Sequence, residues 1–509
     1  MQTSWCKGKV QVMQRKIGFD NNKYLEMQSA KILERISMFG DKLYLEFGGK
    51  LFDDYHAARV LPGFEPDSKI KMLSQLKEHA EILIAINVAD IEKNKYRSDL
   101  GITYDTEVLR LIEIFRTQGF YVGSVVLTRF NNQPSAIAFQ KRLEMFGVKV
   151  YRHYPIDGYP SEVEKIVTEE GFGKNEYVVT TRPLVIVTAP GPGSGKMATC
   201  LSQLYHENKR NVKAGYAKYE TFPVWNLPLN HPVNVAYEAA TADLDDVNMI
   251  DPFHMEAYGE TTVNYNRDVE VFPVLSAMLN KIMGKTIYKS PTEMGVNMAG
   301  HCIIDDAIVQ EASRQEVIRR FYSAQIDVKK GLLSKEVLSK IEILMQKLQI
   351  DITDRLVVKA ALEKEEISSQ PSCAMQLVDG TMITGKSSKL LGAASAVILN
   401  ALKALGNIDK NIDLISSAVI EPIQELKVNY MGAQNPRLHP EEILMALAVS
   451  AVTNPMAKHA LGQLANLKGA QLHSTVTLSN ADTRYLKKLG IDVTSEPKSK
   501  TDNLFPAIN

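Results

Sequence analysis

The sequence is poor in cysteine. Its 509 residues include four cysteines, Cys6, Cys200, Cys302 and Cys373. No two of them are close enough along the chain to form a zinc-binding pair or a CxxC redox motif. The spacing therefore excludes a disulfide-rich scaffold, and it favours a reducing, cytoplasmic compartment.

An excess of charge of either sign is also missing. Lysine plus arginine and aspartate plus glutamate each number 59, so the formal net charge is zero. A protein that binds nucleic acid through its overall field carries a basic excess. We therefore expect no nucleic-acid partner, although a local basic site is compatible with this balance.

Long hydrophobic runs are absent as well. Apolar stretches such as "ILIAINVA" and "LLGAASAVIL" are too short to span a bilayer. The first residues, "MQTSWCKGKVQVMQRK", lack the apolar core of a secretory signal. We expect a cytoplasmic protein that does not associate with a membrane.

The first 220 residues alternate between strand-like and helix-like patterns. The predicted strands are 42–47, 81–87, 122–128, 148–154, 183–188 and 212–219. Helical patterns that begin at Asp, Asn or Ser and end at Gly lie between them. Near-continuous apolar strands in this alternation predict a doubly wound, mostly parallel sheet with helices on both faces.

Four parts are expected along the chain. Residues 1–220 form a Rossmann-like or P-loop-like α/β domain. Residues 221–300, with several prolines and weak periodicity, form an irregular segment that covers the protein or lines a pocket. Residues 301–368 are helical, and residues 369–509 form a second α/β domain, so the fold class is α/β.

A glycine-rich loop, "TAPGPGSGK", follows the predicted strand 183–188 and opens a helical pattern. Loops in this position hold phosphate through backbone amides, with a lysine that adds charge. The residues that would do so are Gly191, Gly193, Ser194, Gly195 and Lys196.

The loop departs from the common P-loop pattern at two positions. Pro190 stands where the pattern has glycine, and Met197 stands where it has the Ser or Thr that holds Mg²⁺. A lysine in the first turn of a helix is disfavoured by the helix dipole by a few tenths of a kcal/mol, roughly, and a bound anion would reverse this. The alternative is that glycine and proline only turn the chain and Lys196 is solvated.

Other polar residues follow the remaining strands of the predicted sheet. These residues are Gly48, Gly49 and Lys50 after the first strand, Asp90 after the second, Arg129 after the third and Arg152 at the end of the fourth. Ligands of open parallel sheets bind at the carboxyl ends of the strands. The convergence predicts an anionic, phosphorylated ligand, for which ATP or another nucleotide with Mg²⁺ is one candidate. Alternatively, each cation is an ordinary surface charge.

Candidates for metal binding and acid–base chemistry lie further along the chain. Asp243, Asp245 and Asp246 are carboxylates suited to Mg²⁺, or they form a solvated acidic loop. His301 and Asp305 are spaced one helical turn apart, which suits an acid–base pair or a capped helix start. His231 lies in "FPVWNLPLNHPVN", which would line a pocket, cover a sheet edge or meet another subunit.

The C-terminal part reads as strand, Asp379-Gly380 turn, strand and apolar helix, and later as strand, helix and strand. This order resembles the three-layer cytidine-deaminase-like fold. The deaminase zinc ligands are missing, because the corresponding positions read "KSSKLLGAASA" and "SNADTRY". We therefore expect no zinc, and a role in packing, assembly or metal-free binding around Lys386, Ser387 and Ser388.

The whole chain resembles a bacterial family of cytoplasmic proteins of about 500 residues and unknown function. The resemblance rests on segments that include "YLEFGGKLFDDYHAARVLPGF", "TAPGPGSGK", "FPVWNLPLNHPVN" and "SPTEMGVNMAG". It implies a multidomain α/β architecture that ends in the deaminase-like domain. It implies no reaction.

The leading functional hypothesis is a protein that binds a nucleotide or another phosphorylated small molecule and catalyses phosphoryl or nucleotidyl chemistry. Two alternatives remain open. One is a non-catalytic protein that senses such a metabolite. The other is an oligomeric structural protein in which the glycine loop has no ligand. A homo-oligomer is expected in each case.

Overall fold

The structure is a computed structural model, and it describes residues 16–40, 42–97 and 101–499. The chain forms two compact units. The N-terminal unit is Ile17–Ser313, and the C-terminal unit begins at Arg314.

The N-terminal unit alternates strands and helices along the chain. Its strands are β1 (Lys42–Phe47), β2 (Ala80–Asn87), β3 (Tyr96–Arg97), β4 (Ile102–Thr103), β5 (Tyr121–Thr128), β6 (Lys149–Arg152), β7 (Leu184–Thr188), β8 (Ala214–Tyr219), β9 (Asn248–Ile250), β10 (Val263–Tyr265) and β11 (Gly295–Val296). Its helices are α1 (Asn21–Phe39), α2 (Tyr55–Val60), α3 (Ser68–Gln75), α4 (Val88–Glu92), α5 (Tyr104–Thr117), α6 (Pro134–Met145), α7 (Val163–Ile166), α8 (Lys196–Lys209), α9 (Pro232–Ala240), α10 (Pro252–Tyr258), α11 (Asn266–Met283) and α12 (Pro291–Met294).

Seven parallel strands form one sheet in the order β11-β8-β1-β7-β2-β5-β6. Every residue of β2 and β7 is buried, because helices cover both faces of a parallel sheet. The chain builds β1, β2, β5 and β6 first and then returns to insert β7 between β1 and β2. The α/β class and the large parallel sheet predicted from the sequence are confirmed.

Residues 221–300 are more regular than the sequence analysis predicts. They contain α9 to α12, the β9–β10 hairpin and β11. The cause is the position of the prolines. Pro232, Pro252 and Pro291 occupy the first helical turn, where the missing N–H costs nothing and the fixed φ favours the helix. Prolines that suggest broken structure therefore begin helices here.

The C-terminal unit combines helices with a small mixed sheet. The remaining elements are α13 (Asp306–Lys329, within which the unit boundary falls), α14 (Lys335–Lys347), α15 (Leu356–Ser368), β12 (Ser372–Gln376), β13 (Met382–Lys386), α16 (Ala393–Leu405), α17 (Ser417–Glu425), α18 (Pro440–Ser450), α19 (Pro455–Leu461), β14 (Gln471–Ser474), α20 (Asn480–Lys488) and β15 (Asp492–Ser495).

The C-terminal sheet has the order β13-β12-β14-β15, in which β12 is antiparallel to both neighbours and β14 is parallel to β15. Gly380 has φ 89° in the turn between β12 and β13, a value that favours glycine. The predicted succession of strands and helices is present in a separate mixed-sheet domain. The resemblance to the deaminase-like fold and the four-part division of the chain stay predictions. Within the described residues, no helix combines the length and apolarity needed to cross a bilayer.

One glycine of the large sheet has no room for a side chain. A Cβ on Gly215 of β8 would lie 2.0 Å from Cγ of the Phe39 ring. We expect Gly215→Ala to lower the free energy of unfolding by about 1–3 kcal/mol, because overpacking displaces the ring or the strand. Urea unfolding followed by circular dichroism measures the change.

Gly123→Ala is the matched control in β5, because its Cβ would meet nothing closer than 3.5 Å. The expected change is within about 1 kcal/mol, since Ala also lowers the entropy of the unfolded chain. Equal losses in the two variants would contradict the packing argument.

Candidate functional site

The carboxyl ends of the strands in the N-terminal sheet meet at one edge. Along this edge the order is β8, β1, β7, β2, β5 and β6. The glycine-rich loop, residues 189–195, joins β7 to α8 at the centre, between the ends of β1 and β2. The residues predicted after β1, β2, β5 and β6 therefore follow strands that end at this edge, as expected for an open parallel sheet.

Two neighbouring strands hold the loop by its carbonyl groups. Asn87 Nδ2, at the end of β2, donates to the Gly193 carbonyl at 3.2 Å. Thr128 Oγ1, at the end of β5, donates to the Ser194 carbonyl at 2.8 Å. Because both side chains come from strand ends, the sheet fixes the orientation of the loop backbone.

Two further loop carbonyls are satisfied locally. Ser194 Oγ donates to the Gly191 carbonyl at 2.8 Å. The Gly195 carbonyl accepts from the amide of Thr199 at 3.0 Å and from its Oγ1 at 2.9 Å. Four of the seven carbonyls of the loop therefore accept hydrogen bonds from the protein.

The loop amides have no such partners. In the part of the chain that the structure describes, the amides of residues 193–198 donate to no acceptor. Gly195 precedes α8 with φ 87°, and no side chain caps this helix. A row of unsatisfied amides at a helix N-terminus is a binding site for anions.

Close packing explains two of the glycines. A Cβ on Gly191 would lie 2.3 Å from Tyr104 Oη, and a Cβ on Gly195 would lie 3.0 Å from Thr128 Oγ1. By contrast, Gly193 has φ 75° and no atom within 4 Å of its Cβ position, so the loop is open on that side. The loop is therefore pressed against the protein on one side and accessible on the other.

Lys196 is the first residue of α8 and is half-buried. It forms no ion pair with the residues that the structure describes. The pKa of the nearby Cys200 is raised well above its usual value, mainly by burial. The charge of Glu46 on β1 also raises this pKa, whereas the charge of Lys196 lowers it. Glu46 itself accepts from Tyr216 Oη at 2.7 Å.

Arg129 follows β5 at the same edge. Its side chain is exposed, and its φ of 56° is a left-handed conformation that is costly for a long side chain. It is near Tyr159. Burial raises the pKa of Tyr159, and the charge of Arg129 opposes this increase. Arg129 is therefore a cation presented at the site edge.

Asp90 lies in α4, directly after β2. Its Oδ1 is 3.2 Å from Lys95 Nζ, but its buried Oδ2 has no hydrogen-bond partner among residues 16–40, 42–97 and 101–499. Lys95 Nζ also lies 4.9 Å from the centre of the Tyr104 ring, which packs against Gly191. The segment after β2 thus carries an unsatisfied carboxylate oxygen beside the glycine loop.

The residues after β1 make a tight turn. The Gly48 amide donates to the Tyr219 carbonyl at 3.0 Å, and Gly49 has φ 70°. Lys50 follows with an exposed side chain. These residues lie on the opposite side of the loop from β2.

Arg152 is not brought to the loop. Its Nε and Nη2 donate to Gln140 Oε1 at 3.0 and 2.9 Å, and its guanidinium lies 4.8 Å from the centre of the Phe130 ring. The strand β6 is also three places from β7. The sequence places this cation at the correct edge but cannot show that its donors are occupied.

The expected pair of His301 and Asp305 is wrong in its geometry. His301 lies in the 3-10 turn Ala299–Cys302, while Asp305 precedes α13 and its Oδ1 accepts from the Ile308 amide at 3.2 Å. The two residues are not on one helix, because α13 begins at Asp306.

A different histidine–carboxylate pair is present. His231 Nε2 lies 2.9 Å from Asp306 Oδ1. Burial lowers the pKa of His231 below its ordinary value, although Asp306 opposes this. The sequence analysis missed the pair because its members are far apart along the chain.

The acidic residues 243–246 do not form a ligand cluster. Asp246 is buried, and its Oδ2 lies 3.2 Å from Arg267 Nη2, while Asp243 and Asp245 are exposed. Burial raises the pKa of Asp246. No three His, Cys, Asp or Glu side chains group as candidate metal ligands within the described residues.

The three residues predicted for the C-terminal unit form a turn. Ser388 Oγ accepts from the amides of Leu390 and Leu391 at 3.2 and 3.1 Å. Ser387 is buried, and Lys386 is exposed at the end of β13.

A buried charge cluster at the end of β8 was not predicted. Lys218 Nζ lies 2.5 Å from Glu220 Oε1 and 2.5 Å from Asp268 Oδ2. Burial raises the pKa of Glu220 to about 8, although Lys218 opposes the shift. The signal in the sequence is a lysine within the otherwise uncharged strand "AGYAKY".

Family comparisons match almost the whole chain. The family described as domain of unknown function DUF1846, N-terminal, matches residues 17–349, and its C-terminal counterpart matches residues 353–505. The chain is similar to UPF0371 proteins of Streptococcus pyogenes serotype M5 (strain Manfredo), 56% identical over 489 residues, and of Streptococcus sanguinis (strain SK36), 56% identical over 491 residues. Each match covers 96% of this chain and 99% of the relative.

His153 lies directly after β6, and its protonation allows the structure at this edge of the sheet to be tested by changing the pH. Its amide donates to the Leu127 carbonyl at 3.0 Å, and its Nε2 lies 3.2 Å from the Glu176 carbonyl. Burial lowers the pKa of His153 from 6.5 to about 3. Between these two values the unfolded chain binds a proton that the folded chain does not, so acidification destabilises the fold.

We expect His153→Gln to remove this pH dependence while it keeps a donor to Glu176. The free energy of unfolding of the parent protein, measured in urea from pH 7 to pH 4, should fall relative to the variant by about 1 kcal/mol per pH unit below pH 6. The control is His79→Gln, an exposed position whose profile should follow the parent. Parallel profiles for His153→Gln and the parent would contradict the neutral buried state.

Proposed function

Because this chain belongs to the family of unknown function described as DUF1846, its site must suggest its role, and we propose that the N-terminal unit binds a nucleotide or another phosphorylated small molecule at the carboxyl end of β7. The loop of residues 189–195 and the first turn of α8 would hold a phosphate group.

The observation that carries the proposal is the difference in hydrogen bonding between the carbonyls and the amides of the loop backbone. The carbonyls of Gly191, Gly193, Ser194 and Gly195 accept hydrogen bonds from the protein. The amides of residues 193–198 have no acceptor in the described part of the chain. Phosphate oxygens accept hydrogen bonds, so they suit this row of amides without acceptors.

Charge supports the same ligand. The dipole of α8 and the ammonium group of Lys196 repel each other, and a bound anion is attracted to both. Arg129, exposed at the end of β5, adds a planar donor group suited to a second phosphate.

Asp90 extends the ligand class beyond free phosphate. Its buried Oδ2 has no hydrogen-bond donor among the described residues. Asp90 follows β2, which lies beside β7, the strand that leads into the loop. In other α/β nucleotide sites an acidic residue binds a ribose hydroxyl, and a sugar bound here would supply that donor only after the segment exposes this oxygen. We therefore favour a sugar phosphate or nucleotide as the ligand.

The proposed chemistry is phosphoryl or nucleotidyl transfer, in which positioning and charge neutralisation supply most of the catalysis. Met197 occupies the place of the hydroxyl residue that commonly holds Mg²⁺. This substitution favours a second candidate function, a protein that binds the same ligand without turnover and acts as a metabolite sensor.

The cytoplasm is the proposed compartment. Cys200, Cys302 and Cys373 are buried free thiols, which suit a reducing environment. No nucleic-acid partner is proposed, since the chain has no net charge.

Isothermal titration with ATP, a sugar phosphate and inorganic phosphate tests the binding proposal. We expect at least one of these to bind the parent protein and to bind Lys196→Ala about 10- to 100-fold more weakly, as for loss of a charged hydrogen bond of about 1.5–3 kcal/mol. Lys209→Ala is the matched control at the other end of α8, where Lys209 pairs with Glu169 at 2.9 Å.

Equal weakening by both substitutions would mean that the effect is general and not local to the loop. Absence of binding of all three probes to the parent would overturn the proposal. Release of phosphate or pyrophosphate from the bound nucleotide would separate the enzyme from the sensor.

A further inference from the structure

The outer face of α18 is apolar from Met445 onward. Its first turn, one turn before Met445, carries Glu441, whose Oε1 accepts from Tyr485 Oη. Met445, Ala448, Val449 and Val452 are all exposed on this face, while Ile443 and neighbouring residues pack into the C-terminal core. Surface helices of globular proteins present polar or charged residues to water on the side away from the core. A helix that is apolar on both sides is typical of one that is covered in the functional assembly.

The exposed residues form one continuous line. Met445, Val449 and Val452 are separated by four and three residues, which places them above one another on a helix. Ala451 retains helical backbone angles, so the line continues to Val452 beyond the last helical residue. No charged residue occurs anywhere in 443–457.

Further apolar side chains flank this line. Met456 is the second residue of α19, and Leu426, Tyr430 and Met431 belong to or follow the π-helical turn Leu426–Tyr430. That turn is joined to α18 by an ion pair in which Lys427 Nζ lies 2.8 Å from Glu442 Oε2. We call the seven large side chains the α18 face: Leu426, Tyr430, Met431, Met445, Val449, Val452 and Met456.

The α18 face is comparable in size to the largest apolar patch of a typical monomeric protein. Its members are between 40% and 83% exposed. Burial of a whole Val, Leu or Met side chain stabilises by about 1.5–3 kcal/mol at about 25 cal/mol per Å², which corresponds to roughly 60–120 Å² each. The seven side chains therefore offer on the order of 300–500 Å² of apolar surface. The largest apolar patch of a typical monomer is about 300–600 Å² and is often functional, and an interface at the small end of the range buries less than about 600 Å² of each partner.

We propose that the α18 face binds a second copy of this chain, with α18 packed against the partner's α18 across a two-fold axis. A two-fold interface requires a surface that complements itself, and the apolar residues Met445, Val449 and Val452 do so without opposed charges. Met445 and Val452 are seven residues apart with the small Ala448 between them, a spacing that lets two helices approach closely. A strongly acidic or basic partner would find no complementary charge on these residues.

The first test measures the molar mass of the full-length chain by light scattering coupled to size-exclusion chromatography, at about 50 µM, well above the Kd of a stable dimer. We expect twice the monomer mass for the parent protein and the monomer mass for V449E and V452E. The control is I367E, which adds the same charge at a position 82% exposed on α15 and away from the α18 face. It should remain a dimer.

A second test does not depend on disrupting the interface. Close to a two-fold axis each residue faces its own copy, so at least one of M445C, V449C and V452C should form an intermolecular disulfide under mild oxidation. Each of these variants also carries C6S, and the C6S protein under the same conditions is the control, since Cys200, Cys302 and Cys373 are buried.

A monomeric parent protein would overturn the proposal. So would a dimer that survives V449E and V452E, because the copies would then meet through another surface. Loss of the dimer in V449E together with a cross-link at one of the three positions would support it. Circular dichroism of each variant shows whether it is folded.

Discussion

Two side-chain hydrogen bonds determine which backbone groups of the glycine-rich loop stay without a partner. Asn87 and Thr128 donate to the carbonyls of Gly193 and Ser194, and each comes from the end of a strand buried in the sheet. Each bond contributes only about 1 kcal/mol to stability, but their geometric effect is larger. Because these carbonyls are used within the protein, the amides of residues 193–198 are the groups left without a partner among the described residues. The position of β7 between β1 and β2 makes these contacts possible.

The buried cluster at the end of β8 constrains the rest of the same edge. Lys218 has carboxylates on two sides, from Glu220 and Asp268. Two charges of opposite sign can be accommodated in such a place, but a third is costly to desolvate. The raised pKa of Glu220, about 8, fits this constraint, since its protonated form leaves one cation and one anion. The cluster joins α11 to the sheet through Asp268, and it explains a lysine in an interior strand.

Much of the fold could be predicted from local patterns, and the missing parts have identifiable causes. The positions of the six longer parallel strands agree with the sequence analysis to within about two residues, because most of these strands are rich in apolar residues. The strand β11 has two residues and shows no pattern. The edge of the sheet that carries the candidate site could be predicted from the topology alone. The roles of Asn87 and Arg152 could not be predicted, because a sequence does not show which partner an amide or a guanidinium group will contact. Likewise, His231 meets Asp306 only because of the tertiary fold.

The C-terminal unit holds α18 firmly, and this bears on how its outer face would bind. His439, which precedes the helix, lies 3.1 Å from Asp482 in the first turn of α20. The carbonyl of Leu438 accepts from Ser395 Oγ of α16 at 2.8 Å. On the inner side, Ile443 and Leu447 are fully buried. A helix fixed in this way loses little backbone entropy when a partner covers it, so most of the apolar area of the face contributes to association. For this reason, an apolar and rigid helix face is better evidence for a self-complementary contact than an equal area on a mobile loop.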